Sequence, residues 1–290
     1  MKTSNQDFKK NYPSFLEEEI GIPEPENALF HIIPVPYEKT VSYGGGTASG
    51  PLKILEASQQ LELFDGFSNP SLKGIYTKKP VFAENIDSLF ELIHNEVTSV
   101  LSLNKIPVIL GGEHTVSVCA FKSFLKNRKK FGIVQIDAHG DLRDEYEKNK
   151  FSHACVMKRA LDMGIDIFQI GVRSLSFYEK NLRESLNIKY LDAIDIYKKG
   201  LPENLFSFDF PENIYLTIDV DGFDPSVIPA TGTPEPGGLL WYDGLEIIKK
   251  IAREKNIIGF DLVELSPKKN LHYAEFTCAK LIYHIMGMFR

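Results

Sequence analysis

The sequence predicts a three-layer α/β/α domain in which helices cover both faces of a central, mostly parallel β-sheet. Short apolar runs that suit buried strands alternate along the chain with longer segments whose apolar residues recur at helical spacing. No internal repeat interrupts this alternation, and no linker-like stretch follows residue 30. Because strands joined by helices pair in parallel and are covered on both faces, we expect one domain over residues 29–290.

Each element has its own local support. Residues 1–28 are polar, charged and interrupted by prolines, which predicts a peripheral N-terminal arm. The first strand is predicted at 29–35, and Ser49 and Pro51 can cap and begin a helix over 51–64. Residues 85–103 carry apolar residues on one helical face. Further strands are predicted at 106–110, 131–136, 166–172, 188–192, 214–220 and 257–265, and further helices at 115–127, 155–163, 177–186, 194–199, 242–255 and 274–288.

Composition and charge narrow the class of partner. The chain has 290 residues, of which 43% are hydrophobic and 25% charged, as is ordinary for a soluble globular protein. A net charge of −6 argues against nucleic acid as the main partner and favours a small cationic substrate.

Cysteine usage and the N-terminus predict a cytoplasmic protein. The three cysteines are far apart and show no paired spacing, so we expect reduced thiols. The first residues lack the apolar segment of a signal peptide, and no apolar run reaches transmembrane length. We therefore expect no membrane partner.

The stretch FGIVQIDAHGDLRDEYEKNKFSH at 131–153 carries the first group of candidate metal ligands. An apolar, strand-like run ends at Ile136, and Asp137, His139 and Asp141 follow at alternate positions. Side chains at i, i+2 and i+4 of an extended chain leave the same face. We therefore expect these three side chains to point to one place.

Two other predicted strands end in similar residues. IYLTIDVDGFDP at 214–225 places Asp219 and Asp221 after an apolar run, and IPVILGGEHT at 106–115 leads to His114. Ligands bind at the carboxyl ends of strands in open α/β sheets, so these side chains converge if the strand ends are neighbours.

The charge of this group predicts a two-metal centre. Four carboxylates in one cleft would repel one another, whereas two divalent cations would balance them. Carboxylates and imidazoles without thiolates favour Mn²⁺, two ions per subunit, although Fe²⁺, Co²⁺, Ni²⁺ and Zn²⁺ stay open. The predicted ligands are His114, Asp137, His139, Asp141, Asp219 and Asp221.

Several motifs give the chain a resemblance to the ureohydrolase family of arginases and agmatinases. GGEHT, DAHGD, SHAC, DVDGFDP with TGTPEPGG behind it, and DLVELSP occur in the family's order, from about Pro34 onward. The segments DAHGDLRDEY and SYGGGTASGPLKILEASQQLELFD resemble agmatinases. The resemblance implies an arginase-like fold, manganese, and assembly as a homotrimer or homohexamer.

The resemblance also implies roles for individual residues. Asp141 would bind metal and accept a proton from the attacking water, and His153 would contact the substrate and deliver a proton to the departing amine. Glu264 would hold the guanidinium group through a bidentate pair. Glu113 is a plausible partner to a ligand.

The substrate is predicted from two departures. Arginases carry an Asn two residues beyond the third DAHxD ligand and an Asp after Gly-x-Arg, where this chain has Arg143 and Ser174. These departures disfavour arginine and, together with the agmatinase-like segments, favour agmatine, which would give putrescine and urea. Agmatine requires Arg143 to turn away or to pair with Asp144, Glu145 or Glu147. If Arg143 faces the pocket, 4-guanidinobutyrate becomes attractive; aminopropylagmatine and arginine also stay open.

Other classes of function are weighed against this hypothesis. A catalytically silent relative could bind a polyamine-like ligand or regulate a partner, but such a protein would be expected to lack a metal ligand, and here none is missing. Asp-x-His also occurs in binuclear phosphoesterases, whose further motifs are not found downstream.

Overall fold

A computed structural model of the chain describes residues 12–127 and 130–289. Eight parallel strands form one sheet in the order β2-β1-β3-β8-β7-β4-β5-β6. The sheet prediction is confirmed, and the described strands are all parallel. The strands are β1 Phe30–Val35, β2 Ile75–Thr77, β3 Ile106–Gly111, β4 Gly132–Ile136, β5 Asp166–Ile170, β6 Lys189–Leu191, β7 Asn213–Asp219 and β8 Asn256–Val263.

Two of the described helices, over residues 86–102 and 177–185, begin at a capping box, whereas the side chain predicted to cap the helix after Ser49 makes no capping hydrogen bond. Asn85 and Ser88 form a capping box at the start of α3, and Ser176 and Glu179 form another at α6. In the part of the chain that the structure describes, no helix is long and apolar enough to span a membrane. The helices are α1 Glu17–Ile20, α2 Gly50–Ser58, α3 Ile86–Ser102, α4 Thr115–Asn127, α5 Val156–Asp162, α6 Phe177–Ser185, α7 Ala193–Lys199, α8 Trp241–Glu254 and α9 Tyr273–Met288.

Two apolar clusters establish the three layers. One cluster joins the sheet to α2, α8 and α9 through buried residues such as Ile54, Ile248 and Ile282. The other joins it to α3 and α4 through residues such as Leu89 and Phe121. Removal of this much apolar surface from water stabilises both helix layers on the sheet.

Two local predictions differ from the structure. The helix predicted over 51–64 ends at Ser58; Leu61 still turns into the core, but Phe64 is 65% exposed. These apolar residues belong to an irregular segment whose packing is decided by distant contacts. The three-residue edge strand β2 was not predicted, because so short a strand has no readable alternation.

The described part of the predicted N-terminal arm packs on the domain. Phe15 and Leu16 are fully buried, and the backbone N–H of Leu16 donates to Ser58 Oγ at 3.1 Å. The backbone N–H of Phe15 donates to Thr77 Oγ1 at 2.9 Å. The boundary predicted at residue 28 therefore does not separate residues 12–28 from the core, while the first eleven residues lie outside the described part.

Candidate metal centre and active-site cavity

The four central strands bring the predicted site residues to one edge of the sheet. β3, β8, β7 and β4 are consecutive neighbours. His114 follows β3, Glu264 follows β8, Asp219 ends β7 and Asp137 follows β4. The predicted convergence is therefore found, with β8 lying between β3 and β7.

One group of side chains surrounds the imidazole of His114. Its Nδ1 atom lies 3.0 Å from Asp141 Oδ2, 3.4 Å from Asp137 Oδ2 and 3.6 Å from Asp219 Oδ2. This nitrogen is buried and has no hydrogen-bond partner with acceptable geometry among the described residues. A buried ring nitrogen facing three carboxylate oxygens is suited to a cation placed among them.

A second group surrounds His139 and shares one member with the first. His139 Nδ1 lies 3.0 Å from Asp221 Oδ2 and 3.7 Å from Asp137 Oδ1. Candidate ligand atoms of His114, Asp137 and Asp219, and likewise those of Asp137, His139 and Asp221, lie within 4.8 Å of one another. Asp137 thus offers one carboxylate to both groups, as expected at a binuclear site.

The backbone after β4 does not bring these ligands together in the predicted way. The strand ends at Ile136, and Asp141 has a left-handed backbone with φ 51°. The three ligands therefore converge through a turn rather than along an extended chain. The backbone N–H of His139 donates to Asp137 Oδ1 at 2.6 Å, which holds this turn in place.

The acidic groups perturb one another strongly. Burial and the charge of Asp137 raise the pKa of Asp141 to about 7, and burial with the charge of Asp221 raises the pKa of Asp219 well above its usual value. Burial acts to lower the pKa of His139, but the carboxyls of Asp137 and Asp221 raise it to about 12. So many buried acids are costly without added positive charge, and the donor set fits two divalent cations.

His153 lies beside this centre, held by Thr40. Its Nδ1 atom is 3.3 Å from Thr40 Oγ1, and its backbone N–H donates to the same oxygen at 3.1 Å. Burial lowers the pKa of His153 to about 4. The imidazole is therefore neutral at pH 7, so the predicted role of His153 as proton donor requires the ring first to take up a proton.

Glu113 supports the loop that holds His153. Its carboxylate accepts hydrogen bonds of 2.6 Å from the backbone N–H groups of Lys39 and Thr40, and one of 3.1 Å from Thr40 Oγ1. Among the described residues, Glu113 makes no hydrogen bond or ion pair with a candidate metal ligand. It stabilises the site indirectly, by holding Thr40, which in turn holds His153.

Glu264 reaches the centre from the end of β8. Its Oε1 atom accepts a hydrogen bond of 2.6 Å from the backbone N–H of His114, and its own backbone is left-handed, with φ 65°. Burial is the main reason that its pKa rises to about 8.

Most of these side chains line one cavity of about 340 Å³; Asp137 and Glu113 are fully buried and are not among its lining residues. Residues 41–44 line the rim of the cavity and lie close to the loop containing Gly232. A Cβ atom on Gly44 would lie 2.8 Å from the carbonyl oxygen of Gly232. The predicted residues that line the cavity are His114, His139, Asp141, His153, Asp219, Asp221 and Glu264.

Arg143 also lines this cavity, near the buried side chain of Glu179. Its Nε atom lies 4.0 Å from Glu179 Oε2, and its guanidinium carbon lies 5.4 Å from the centre of the Tyr146 ring. Among the described residues Arg143 forms no ion pair with Asp144, Glu145 or Glu147, the predicted partners, and Asp144 pairs with Arg159 at 2.8 Å. Arg143 thus faces the pocket, the arrangement for which 4-guanidinobutyrate was an attractive substrate. Ser174 lines the same cavity.

Sequence reasoning missed a set of buried polar residues behind the ligands. Gln135 Nε2 donates to Asp137 Oδ2 at 2.7 Å, and Thr217 Oγ1 lies 2.9 Å from His114 Nε2. Thr217 in turn donates to Asp261 Oδ1 at 2.6 Å. An acidic residue in the middle of the apolar run IIGFDLVEL was the sequence signal that could have identified Asp261, because buried charges need partners.

The fold and the two groups of candidate ligands are those of the predicted class, an α/β hydrolase with a candidate binuclear metal site. The chain matches the Arginase family over residues 28–287 and belongs to that family. This confirms the resemblance inferred from the motifs.

Individual relatives agree with this assignment. The chain is 37% identical over 292 residues to an N(1)-aminopropylagmatine ureohydrolase of Synechocystis sp., covering 97% of this chain and 95% of the relative. It is 32% identical over 282 residues to an agmatinase of Pyrococcus horikoshii, covering 96% and 97%. The crystal structure of an agmatine ureohydrolase of Thermoplasma volcanium superposes with a TM-score of 0.86 at 29% identity, covering 99% of this chain and 97% of that one.

Proposed function

We propose that this protein hydrolyses a linear guanidino compound with a cationic tail, releasing urea and an amine, and that it uses two Mn²⁺ ions per subunit. The observation that carries the proposal is the carboxylate of Asp137, which belongs to both groups of candidate ligands. All six predicted ligands lie in these two groups, which argues against a catalytically silent relative.

The residues present suit such a pair of ions. His114, Asp137, Asp141 and Asp219 would hold one ion, and Asp137, His139 and Asp221 the other. Bound together, two divalent ions lower the pKa of a water molecule so that it can attack an unreactive carbon at neutral pH. Oxygen and imidazole donors without thiolate favour Mn²⁺.

Glu264 is placed to orient the substrate. No described residue hydrogen-bonds its Oε2 atom, while Oε1 accepts one N–H group from His114. A carboxylate with free acceptor capacity can pair with the planar guanidinium group and fix its carbon in position for attack.

Asp141 and His153 are placed to move the proton. Hydrolysis transfers a proton from the attacking water to the departing amine. Asp141, whose Oδ2 lies 3.0 Å from His114, can accept this proton first. The His153 imidazole, neutral at pH 7, can then take it up and release it to the amine nitrogen.

The tail of the substrate is assigned as the ammonium end of agmatine. Glu179 beside Arg143 reduces the repulsion that a cationic tail would meet at the cavity wall. Aminopropylagmatine is a second candidate, because the relative from Synechocystis that is 37% identical carries this substrate in its name.

A urea-release assay tests the proposal. Metal-depleted protein would be supplied with Mn²⁺ and offered agmatine, aminopropylagmatine, 4-guanidinobutyrate and arginine at equal concentration. We expect metal-dependent urea from agmatine or aminopropylagmatine and little from arginine. Urea release without metal would refute the mechanism, and bound metal without turnover of any guanidine would support the silent alternative.

A further inference from the structure

A line of buried polar side chains leads from His114 into the sheet, away from the cavity. His114 Nε2 lies 2.9 Å from Thr217 Oγ1, and Thr217 Oγ1 lies 2.6 Å from Asp261 Oδ1. Thr217 and Asp261 are fully buried, on the neighbouring strands β7 and β8, where their backbones are paired. Neither residue lines the cavity, so neither can touch the substrate.

The direction of the hydrogen bonds in this line follows from the number of protons. A threonine hydroxyl has one proton to donate. Its contact with Asp261 Oδ1 is much shorter than its contact of 3.4 Å with Ser117 Oγ. With its proton given to Asp261, Thr217 can only accept from His114, so the Nε2 atom of His114 carries hydrogen.

The direction of this hydrogen bond matters because the groups around Nδ1 of His114 favour a proton on Nδ1 instead of on Nε2. Nδ1 of His114 faces carboxylate oxygens of Asp141, Asp137 and Asp219 at 3.0–3.6 Å. These acceptors attract a proton to Nδ1, and a protonated Nδ1 cannot bind a metal ion. An acceptor fixed at Nε2 counteracts that attraction.

We propose that Thr217 and Asp261 are positioning residues that hold His114 with its proton on Nε2 and its Nδ1 lone pair free for a metal ion. The inference rests on the proposed metal-dependent function. Asp261 acts on His114 only through Thr217, whose hydroxyl it keeps turned away from the ring. The pair therefore sets the affinity of the metal ion bound by His114.

Metal-binding measurements on three variants test this inference. Thr217→Val keeps the side-chain shape but removes the acceptor. Asp261→Asn is nearly isosteric and offers an N–H group that can turn the Thr217 hydroxyl towards His114. Thr217→Ser keeps the hydroxyl and is the matched control. Titration of the metal-depleted proteins with Mn²⁺ by calorimetry gives the affinity of each ion without any use of turnover.

We expect Thr217→Val and Asp261→Asn to lower the affinity for one of the two ions by about 10–100-fold. This is the usual effect of losing a residue that hydrogen-bonds a metal ligand. Thr217→Ser should bind as the unaltered protein does. Thermal unfolding of the metal-free forms checks that each variant folds. If Thr217→Val does not fold, the metal affinity of Asp261→Asn alone decides the question.

The outcomes separate this inference from the proposed function. The positioning role would be overturned if both variants bound two ions with unchanged affinity, or if the affinity for both ions fell equally. Either result would leave the hydrolase proposal intact. Failure of the unaltered protein to bind divalent ions would instead overturn the proposed function.

Discussion

Glu264 Oε1 accepts a hydrogen bond of 2.6 Å from the backbone N–H of His114, and this contact joins the ends of the neighbouring strands β8 and β3. A residue proposed to hold the substrate is thus fixed to the backbone of a proposed metal ligand. The position of the guanidinium carbon relative to the metal centre is therefore determined by the pairing of two central strands.

Replacing Glu264 tests its role in orienting the substrate. Glu264→Gln keeps an oxygen that can accept the N–H group of His114 but removes the charge that pairs with guanidinium. We expect urea release to fall by about 100-fold or more with metal content unchanged. Metal analysis and kinetics on the same preparation would check this, and loss of metal instead would reassign Glu264 to the metal centre.

The sharing of Asp137 predicts a difference between two ligand variants. Asp137→Ala should remove metal from both sites, whereas Asp221→Ala should mainly affect the site of His139, because only Asp137 belongs to both groups. Both should abolish urea release. Elemental analysis counts the ions per subunit.

Asp224→Asn is the control for these variants, because Asp224 hydrogen-bonds Gly237 and Gly238 outside the ligand groups. If Asp137→Ala retained its metal ions, the proposal that Asp137 is a shared ligand would be contradicted.

The contact between Thr40 and His153 predicts an effect on rate alone. Thr40→Val removes the oxygen near His153 Nδ1, so the ring loses its fixed orientation. We expect kcat to fall by about tenfold, a fraction of what a proton-transfer group contributes, with little change in KM or metal content. Thr40→Ser should restore the rate; if it behaves as Thr40→Val does, the hydroxyl is not responsible.

The perturbed acids predict how the stability of the metal-free protein depends on pH. In the folded state Asp141 and Glu264 keep protons up to pKa values of about 7 and 8, and His139 up to about 12. The unfolded chain loses them near the ordinary values, all at or below about 6.5. Between pH 6.5 and 8 the folded state therefore binds more protons, and stability falls as pH rises, by roughly 1.4 kcal/mol per pH unit for each extra proton.

Thermal unfolding monitored by circular dichroism checks this dependence. His153, whose folded pKa is lowered to about 4, opposes the trend near pH 6.5, where the unfolded imidazole is about half protonated, and opposes it less as pH rises. With a chelator present, Tm should decrease from pH 6.5 to pH 8, and added Mn²⁺ should remove or reverse the decrease because it displaces the protons. A metal-free Tm that rises over this range would contradict the protonation of the acidic cluster.

Arg143 predicts opposite effects on two substrates. It lines the cavity with its side chain 41% exposed. Arg143→Ala removes a positive charge, so KM should fall for agmatine and rise for 4-guanidinobutyrate, each by no more than about fivefold, which corresponds to about 1 kcal/mol between charges near solvent. Arg143→Lys keeps the charge and is the control, and parallel shifts for both substrates would exclude an electrostatic role.

Much of this architecture could be predicted because the signals are local. The apolar runs before Asp137 and Asp219 predicted buried strands, and the Asp and His residues at the ends of these strands predicted the candidate metal centre. The turn at Asp141 could not be predicted, because a left-handed aspartate has no distinct sequence pattern. Thr40, Thr217 and Asp261 were missed because their partners are distant in sequence: Thr40 is 113 residues from His153, and Thr217 is 103 residues from His114.

Distance in sequence also explains why the packing of the N-terminal arm and the partner of Arg143 were not predicted. The burial of Phe15 and Leu16 depends on contacts with Ser58 and Thr77, which composition does not reveal. The partner of Arg143 was sought among its neighbours in sequence, but the carboxylate nearest to it, Glu179, lies on helix α6.

The close approach of Gly44 to Gly232 bears on how the scaffold can evolve. Any larger residue at either position forces two rim segments apart, since a methyl group already collides with backbone atoms. The opening of the pocket can thus be widened by changes that leave every metal-binding and proton-carrying group untouched.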